Sequence, residues 1–137
     1  VIAVDETLNR SNLGKRKAED FINLERSMLL NGRLDGHLVQ GHVDDVATVK
    51  KIQKKNGSRI FEFRFNEKNA ALLVDKGSIC INGVSLTVIK PSKKKFSVTI
   101  IPFTDENTNF KFLKEGEEVN IEFDIIGKYV QRILKRD

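Results

Sequence analysis

Period-two alternation dominates the middle of the chain. Across residues 59–65, Phe61, Phe63 and Phe65 fall on one face, and Glu62 and Arg64 on the other. That is the pattern of a half-buried strand. Residues 78–82 continue it through Ile79 and Ile81. Val84, Leu86 and Val88 then oppose Ser85 and Thr87, and Phe96, Val98 and Ile100 oppose Ser97 and Thr99. Val119, Ile121, Phe123 and Ile125 oppose Asn120, Glu122 and Asp124. A longer strand is expected over residues 37–52, with Gly41 as a bulge or bend inside it. About six strands between residues 34 and 125, evenly spaced, predict an all-β fold: a six-stranded antiparallel Greek-key barrel.

Turn chemistry separates these strands. Asn56-Gly57 marks a hairpin, and Lys90-Pro91-Ser92-Lys93 and Lys114-Glu115-Gly116-Glu117 mark two further turns. One short internal helix is expected over residues 67–74, with Asn66 as its cap and Gly77 beyond its end. A second helix is expected over residues 126–135. Ile126, Tyr129, Val130, Ile133 and Leu134 share a stripe there, with Lys128, Gln131, Arg132 and Lys135 off it. So short a helix needs a surface to dock on.

The chain also contains a partial copy of itself. The offset that carries Val1 onto Val98 puts Thr7 on Thr104, Asn12 on Asn109, Lys17 on Lys114, Asn23 on Asn120 and Glu25 on Glu122. Apolar positions track as well: Ala3 with Ile100, Val4 with Ile101, Leu13 with Phe110, Ile22 with Val119, Leu24 with Ile121. The repeat divides the chain into residues 1–27, the last strands of a first barrel and a linker; residues 28–124, a complete second barrel; and residues 125–137, an oligomerisation helix. On this reading the rest of the first barrel is expected to be missing from the sequence.

Composition narrows the class. With 137 residues, 39% hydrophobic and 31% charged, the chain has the make-up of one globular domain. No apolar run approaches the roughly 20 residues of a membrane-spanning helix, and the first residues lack the basic and apolar regions of a signal peptide. A net charge of +5 permits an acidic partner without demanding one. The basic runs Lys50-Lys51, Lys54-Lys55, Lys93-Lys94-Lys95 and Lys135-Arg136 fall at turns and the terminus, where solvation explains them. A single cysteine, Cys80, excludes an internal disulfide and a cysteine-based zinc site, and its place between Ile79 and Ile81 suits packing.

Three clusters carry candidate chemistry: residues 36–44, with His37, Gly41 and His42; residues 76–88, with Asn82-Gly83-Val84-Ser85-Leu86-Thr87-Val88; and residues 100–105, followed by Asn107-Thr108-Asn109. Their order and spacing resemble the riboflavin synthases, the lumazine-binding two-barrel enzymes of flavin biosynthesis. The Gly-His-x-x-x-Gly-His run, the Asn-Gly-Val-Ser-Leu-Thr-Val run, Val119-Asn120-Ile121-Glu122 and Lys128-Tyr129-Val130 look like the family's second barrel. Residues 6–14 and Ile22-Asn23-Leu24-Glu25-Arg26 look like the end of its first.

The resemblance implies a transferase that passes a four-carbon unit between two molecules of 6,7-dimethyl-8-ribityllumazine. The products are riboflavin and 5-amino-6-ribitylamino-pyrimidinedione, made with neither metal nor organic cofactor. It implies a cytoplasmic homotrimer held partly by C-terminal helices, with each reaction site between the first barrel of one subunit and the second barrel of another. Neither nucleic acid nor membrane is implied as a partner. Carried over, the second-barrel site uses Gly41, His42 and Val43; Lys76, Ser85, Leu86 and Thr87; and Ile100, Ile101, Pro102, Phe103, Thr104 and Asp105. The repeat adds Ala3, Val4, Asp5, Glu6, Thr7 and Leu8 as the matching wall of the first site. Asn82 departs from the family, which often carries Asp there, and the segments that would line the other half of the site are missing, so this chain alone is expected to lack turnover.

Residue chemistry adds roles to that set. The reaction removes a proton from the lumazine C7 methyl group, and His42 is the expected acid–base group, an unperturbed imidazole titrating at about 6.5. Ser85 and Thr87 complete the expected catalytic set as positioning hydroxyls, since no base is adjacent in sequence. They point away from the core, so a ligand there lies in a shallow external groove that needs a second surface. Lys76, Thr104 and Asp105 suit the ribityl chain. Two other classes compete: an antenna protein that carries lumazine or flavin without turnover, and an oligonucleotide-binding barrel. The latter wants exposed aromatics beside basic residues, whereas Phe61, Phe63 and Phe65 read as core.

Overall fold

A computed structural model describes residues 2–135. Val1, which opens the repeat, and Arg136, in the terminal basic run, lie outside the described residues. Six strands form one antiparallel sheet: β1 (Asp45–Lys55), β2 (Ser58–Arg64), β3 (Ser78–Ile81), β4 (Val84–Thr87), β5 (Lys95–Ile100) and β6 (Glu118–Phe123). Their order across the sheet is β4-β3-β6-β1-β2-β5. Asn56 and Gly57, with φ of 50° and 79°, turn β1 into β2, and Asn82 and Gly83, at 48° and 83°, turn β3 into β4. Both dipeptides supply the positive φ that a tight hairpin requires.

The sheet curls until its edge strands meet. Hydrogen bonding across that seam is limited to one bridge just beyond β4, Ile89 to Ser97, closed by N–H···O bonds of 2.8 and 2.9 Å. With that bridge, β3, β4 and β5 are successive neighbours and β6 returns beside β3, which is a Greek key. The barrel is therefore open along most of one seam. Its interior holds Phe61, Phe63, Phe96, Phe110 and Phe123 with Ile79, Ile81, Ile100 and Ile121, all fully buried. All but Phe110, which comes from the 3₁₀ turn at Asn109–Phe112, are the inward positions of the alternation, so the strand pattern and most of the core are one observation.

Three elements differ from expectation. The long strand starts at Asp45, not at residue 37. Gly41 has a φ of 78°, and residues 37–44 run outside the ladder apart from a bond between the Asp44 amide and the Ile121 carbonyl. The internal helix is a tight 3₁₀ stretch, Glu67–Leu72, with Asn66 accepting from the Lys68 amide as its cap. Residues 1–25 are expected as strand ends; among them the described residues 2–25 contain α1 (Asp5–Arg10) and a 3₁₀ turn at Leu13–Lys15, with no strand. The repeat is nevertheless visible: α1 superposes in register on α2 (Pro102–Asn107), and the turn at Leu13–Lys15 matches the one at Asn109–Phe112. Residues 21–26, which correspond to β6, lack a partner strand. Ile22 is 51% exposed and Leu24 86%, whereas Val119 and Ile121 are fully buried.

The C-terminal helix α3 (Ile125–Leu134) forms as expected. Asp124, read as the end of a strand, caps it instead by accepting from the Ile126 amide. Asp44 ties it to the barrel: its carboxylate accepts from the Phe123 amide at 2.8 Å and from Lys128 Nζ at 2.7 Å. Ile126, Tyr129, Ile133 and Leu134 remain exposed. Among the described residues no helix is long and apolar enough to cross a membrane.

Candidate functional site

The opening in the barrel seam is built from backbone as much as from side chains. Antiparallel ladders alternate the direction of successive N–H and C=O groups. In β4, residue 88 bonds across to residues 76 and 77, so Val84, Leu86 and Val88 direct their polar backbone toward β3. Ser85 and Thr87 direct theirs toward β5. On the other side Ser97 faces β4, and Thr99 and Ile101 follow with the same phase. Extended from the bridge, the register sets Thr87 opposite Thr99 and Ser85 opposite Ile101, yet no ladder forms there. The result is a slot edged by unpaired strand backbone, with the Ser85 and Thr87 hydroxyls on one lip and the start of α2 on the other. A flat ring bearing carbonyls and ring nitrogens can pair with such edges.

The carried-over residues fall into three groups. Ser85, Leu86 and Thr87 lie on β4, and Ile100 to Asp105 lie on β5 and α2, so both lips are present. Ile101 and Phe103 are 54% and 73% exposed. Asp105 is committed elsewhere: Arg59 Nη1 donates to its carboxylate at 2.8 Å and to the Phe110 carbonyl at 3.1 Å. Lys76 is exposed, with a φ of 62°, and its amide bonds to the Val88 carbonyl. Gly41 and Val43, with Ala3 and Leu8, line a different space: an apolar cavity of about 490 Å³ between residues 2–26 and the barrel, floored by Cys80, Asn82 and Glu122. Of the first wall, Val4 is exposed, as are Asp5, Glu6 and Thr7 on α1.

The two histidines sit in different surroundings. His42 is exposed. The ring that reaches Ser85 is His37, whose Nδ1 lies 2.7 Å from Ser85 Oγ. Nothing local in the sequence announces this pair, because closure of the whole β3–β4 hairpin onto the segment before β1 creates it.

Residues 2–26 dock through a reciprocal set of asparagines. The Asn12 amide donates to Asn120 Oδ1 at 2.7 Å, and the Asn109 amide donates to Asn23 Oδ1, also at 2.7 Å. Asn12 and Asn109 are equivalent in the repeat, as are Asn23 and Asn120. Each half thus offers the other the same amide and the same side chain, the signature of an isologous contact. Asn23 also donates to the Asn82 carbonyl, and Asn12 to that of Glu118, both at 2.8 Å.

Cys80 lies on the cavity floor, 3% exposed. Burial, then the carboxylate of its cross-strand neighbour Glu122, push its thiol up to about 12. Thiolate is the reactive form. The folded chain is therefore expected to leave Cys80 unlabelled by a chromogenic disulfide at pH 8 for hours, and denaturant to release one equivalent; prompt labelling of the folded chain would contradict this burial.

Comparison with known proteins places this geometry. The family model described as lumazine binding domain matches residues 40–124. The chain belongs to the lumazine-binding domain family. The match covers β1 through β6 and both lips of the slot, and leaves His37 outside. A riboflavin synthase from Actinobacillus pleuropneumoniae is 40% identical over 131 residues, which cover 96% of this chain and 61% of that protein. One from Bacillus subtilis is 37% identical over 136 residues, 99% of this chain and 63% of that protein. The chain thus spans a little over three fifths of these relatives. The crystal structure of LumP complexed with riboflavin shares the fold, with a TM-score of 0.79 at 23% identity over 88% of this chain and 65% of that one.

Proposed function

We propose that this lumazine-binding domain holds 6,7-dimethyl-8-ribityllumazine in the barrel slot and acts in riboflavin synthesis. There one lumazine gives up a four-carbon unit to a second, yielding riboflavin and 5-amino-6-ribitylamino-pyrimidinedione. The observation that carries the reading is the 40% identity to a riboflavin synthase over 96% of this chain. The slot supports it, since unpaired backbone at Ser85, Thr87 and Thr99 offers donors and acceptors spaced for a ring edge.

Roles follow from position. Ser85 and Thr87 orient the ring from the β4 lip, and Ile101 and Phe103 cover its face from the other. Thr104 and Lys76 reach the ribityl chain. Asp105 acts by fixing Arg59 and the α2 lip rather than by binding directly. His42, which is exposed between two residues of the neighbouring cavity, is the group proposed to exchange a proton with the C7 methyl. The slot leaves one face of the ring open, so a second barrel must close it, and orientation of two rings with exclusion of water does much of the work. Residues 1–27 close a preceding barrel of the same kind; the reciprocal asparagines and the exposed Ile22 and Leu24 support this. The exposed apolar stripe of α3 suits a homotrimer contact, in a cytoplasmic enzyme.

Titration of the chain with 6,7-dimethyl-8-ribityllumazine, followed by ligand fluorescence with riboflavin assayed in the same tube, tests the proposal. Saturable binding at micromolar ligand without riboflavin is expected of this chain alone, because only one barrel is complete. Absence of binding would overturn the reading of the slot. The LumP likeness, a match of fold, gives no separate reason to prefer an antenna role.

A further inference from the structure

Two nitrogens of His37 converge on one oxygen. Nδ1 lies 2.7 Å from Ser85 Oγ, and the His37 backbone amide donates to the same atom at 3.2 Å. The other ring nitrogen, Nε2, is buried with no hydrogen-bond partner among the described residues. The approach is close enough to require glycine next door: a Cβ on Gly36 would stand 2.5 Å from Ser85 Oγ and 2.7 Å from Ser85 Cβ.

A neutral imidazole carries one ring proton, so two arrangements are available. If Ser85 donated to Nδ1, the proton would sit on Nε2, a buried N–H with nothing to accept it. Orphaned buried donors are rarer than under-satisfied acceptors, and leaving one costs its full desolvation. If Nδ1 holds the proton, it donates to Ser85 Oγ and Nε2 keeps only a lone pair. Both lone pairs of Oγ are then filled by His37, and the hydroxyl hydrogen is left to point elsewhere.

We infer that His37 is a positioning residue that holds the Ser85 hydroxyl as a hydrogen-bond donor into the slot, so that the site selects a ring presenting an acceptor, a carbonyl or bare ring nitrogen, at that lip. The inference rests on the proposed lumazine site for its ligand, but the tautomer stands on the geometry alone. It explains why a glycine precedes His37, and it gives Ser85 a fixed polarity that a free hydroxyl lacks.

Two measurements on the full chain test it. The ¹⁵N–¹H spectrum of the histidine rings is expected to show His37 with its proton on Nδ1; a proton on Nε2 overturns the inference. In parallel, 6,7-dimethyl-8-ribityllumazine is titrated into the wild type, His37→Leu, His37→Asn, Ser85→Ala and the Ser85→Ala/His37→Leu double variant. His37→Leu is expected to weaken binding about fivefold, the worth of one neutral hydrogen bond, and His37→Asn, whose amide can donate from nearly the Nδ1 position, to stay within about twofold of wild type. In the Ser85→Ala background His37→Leu should change nothing further. An undiminished effect there, or an Asn variant as weak as the Leu one, shows that His37 does not act through Ser85. If the wild type fails to bind lumazine, the proposed function falls, and the ring spectrum still decides the tautomer.

Discussion

Replacing Phe61 with alanine is expected to cost about 3–5 kcal/mol of stability, the range for truncating a fully buried aromatic. Phe61 is 0% exposed and lies where three parts of the barrel meet. It pairs with Ile52 on β1 and Val98 on β5, and its ring packs edge-on against Phe110 at 5.3 Å. Arg59, whose guanidinium lies 4.8 Å over the ring, uses it as a platform to reach Asp105 and the Phe110 carbonyl. The loss is therefore transfer free energy plus a cavity that the closed β1-β2-β5 register cannot collapse. Small domains have only about 5–15 kcal/mol in total, so the variant should unfold at a much lower urea midpoint with an unchanged slope. Phe61→Leu, which refills most of the volume, should cost clearly less. A loss below about 1 kcal/mol for the alanine variant would mean that the ring is not part of the core. Because the same ring supports the α2 lip, Phe61→Leu should also weaken lumazine binding by loosening Arg59 and Asp105.

Phe61 also shows why the strands were legible in the sequence. A strand with one face in a core must alternate, and a one-residue slip would expose every Phe of β2 at once. The pattern fails where burial does not enforce it. Residues 37–43 are expected to extend the long strand through Gly41, but Leu38 is exposed and Gly41 takes a left-handed turn, so no ladder forms there. Residues 21–26 repeat the pattern of β6 and form no strand, because a strand is defined by a partner and none is supplied among the described residues. The repeat itself was legible, and α1 against α2 is its direct image. Side-chain polarity placed Ser85 and Thr87 on the outer face of β4, where they are found. The His37–Ser85 contact could not be read from sequence, since it depends on how the segment before β1 folds across the β3–β4 hairpin. Asp105 could not be assigned to Arg59 for the same reason: the β2–β5 register brings them together.

The reciprocal asparagines make the second large effect. Asn120→Ala removes the acceptor of the Asn12 amide, and Asn23→Ala removes the acceptor of the Asn109 amide. The Asn120 change touches nothing else in the barrel, because its backbone bonds with Asn82 run through main-chain atoms of residue 120 and survive. Docking of residues 2–26 otherwise rests on the Asn12 and Arg16 bonds to the Glu118 carbonyl, the Asn23 bonds to the Asn82 carbonyl and to Asn109 Oδ1, the Asn109 bond to the Phe21 carbonyl, the Lys15 pair with Glu118 at 2.6 Å, and the stacking of Phe21 on Phe112 at 4.1 Å. The Lys15 pair is exposed, so it adds little.

The single bond lost in Asn120→Ala should raise the population of the undocked state about fivefold, and Asn23→Ala, which also loses the Asn23 bonds to the Asn82 carbonyl and to Asn109 Oδ1, should raise it further. Amide exchange reads this directly. Docking is one event, so Asn120→Ala should speed exchange at Asn109 as well as at Asn12, although the Asn23–Asn109 bond is intact in that variant. Tryptic cleavage at Arg16 and Lys17 should accelerate in parallel, while exchange at Phe63 and Val98, in the closed part of the barrel, stays unchanged. If exchange rises at Asn12 alone, the two contacts are independent and the pseudo-symmetric interface is only a resemblance of sequence. If both rise together, the two halves of the repeat recognise each other through one cooperative surface.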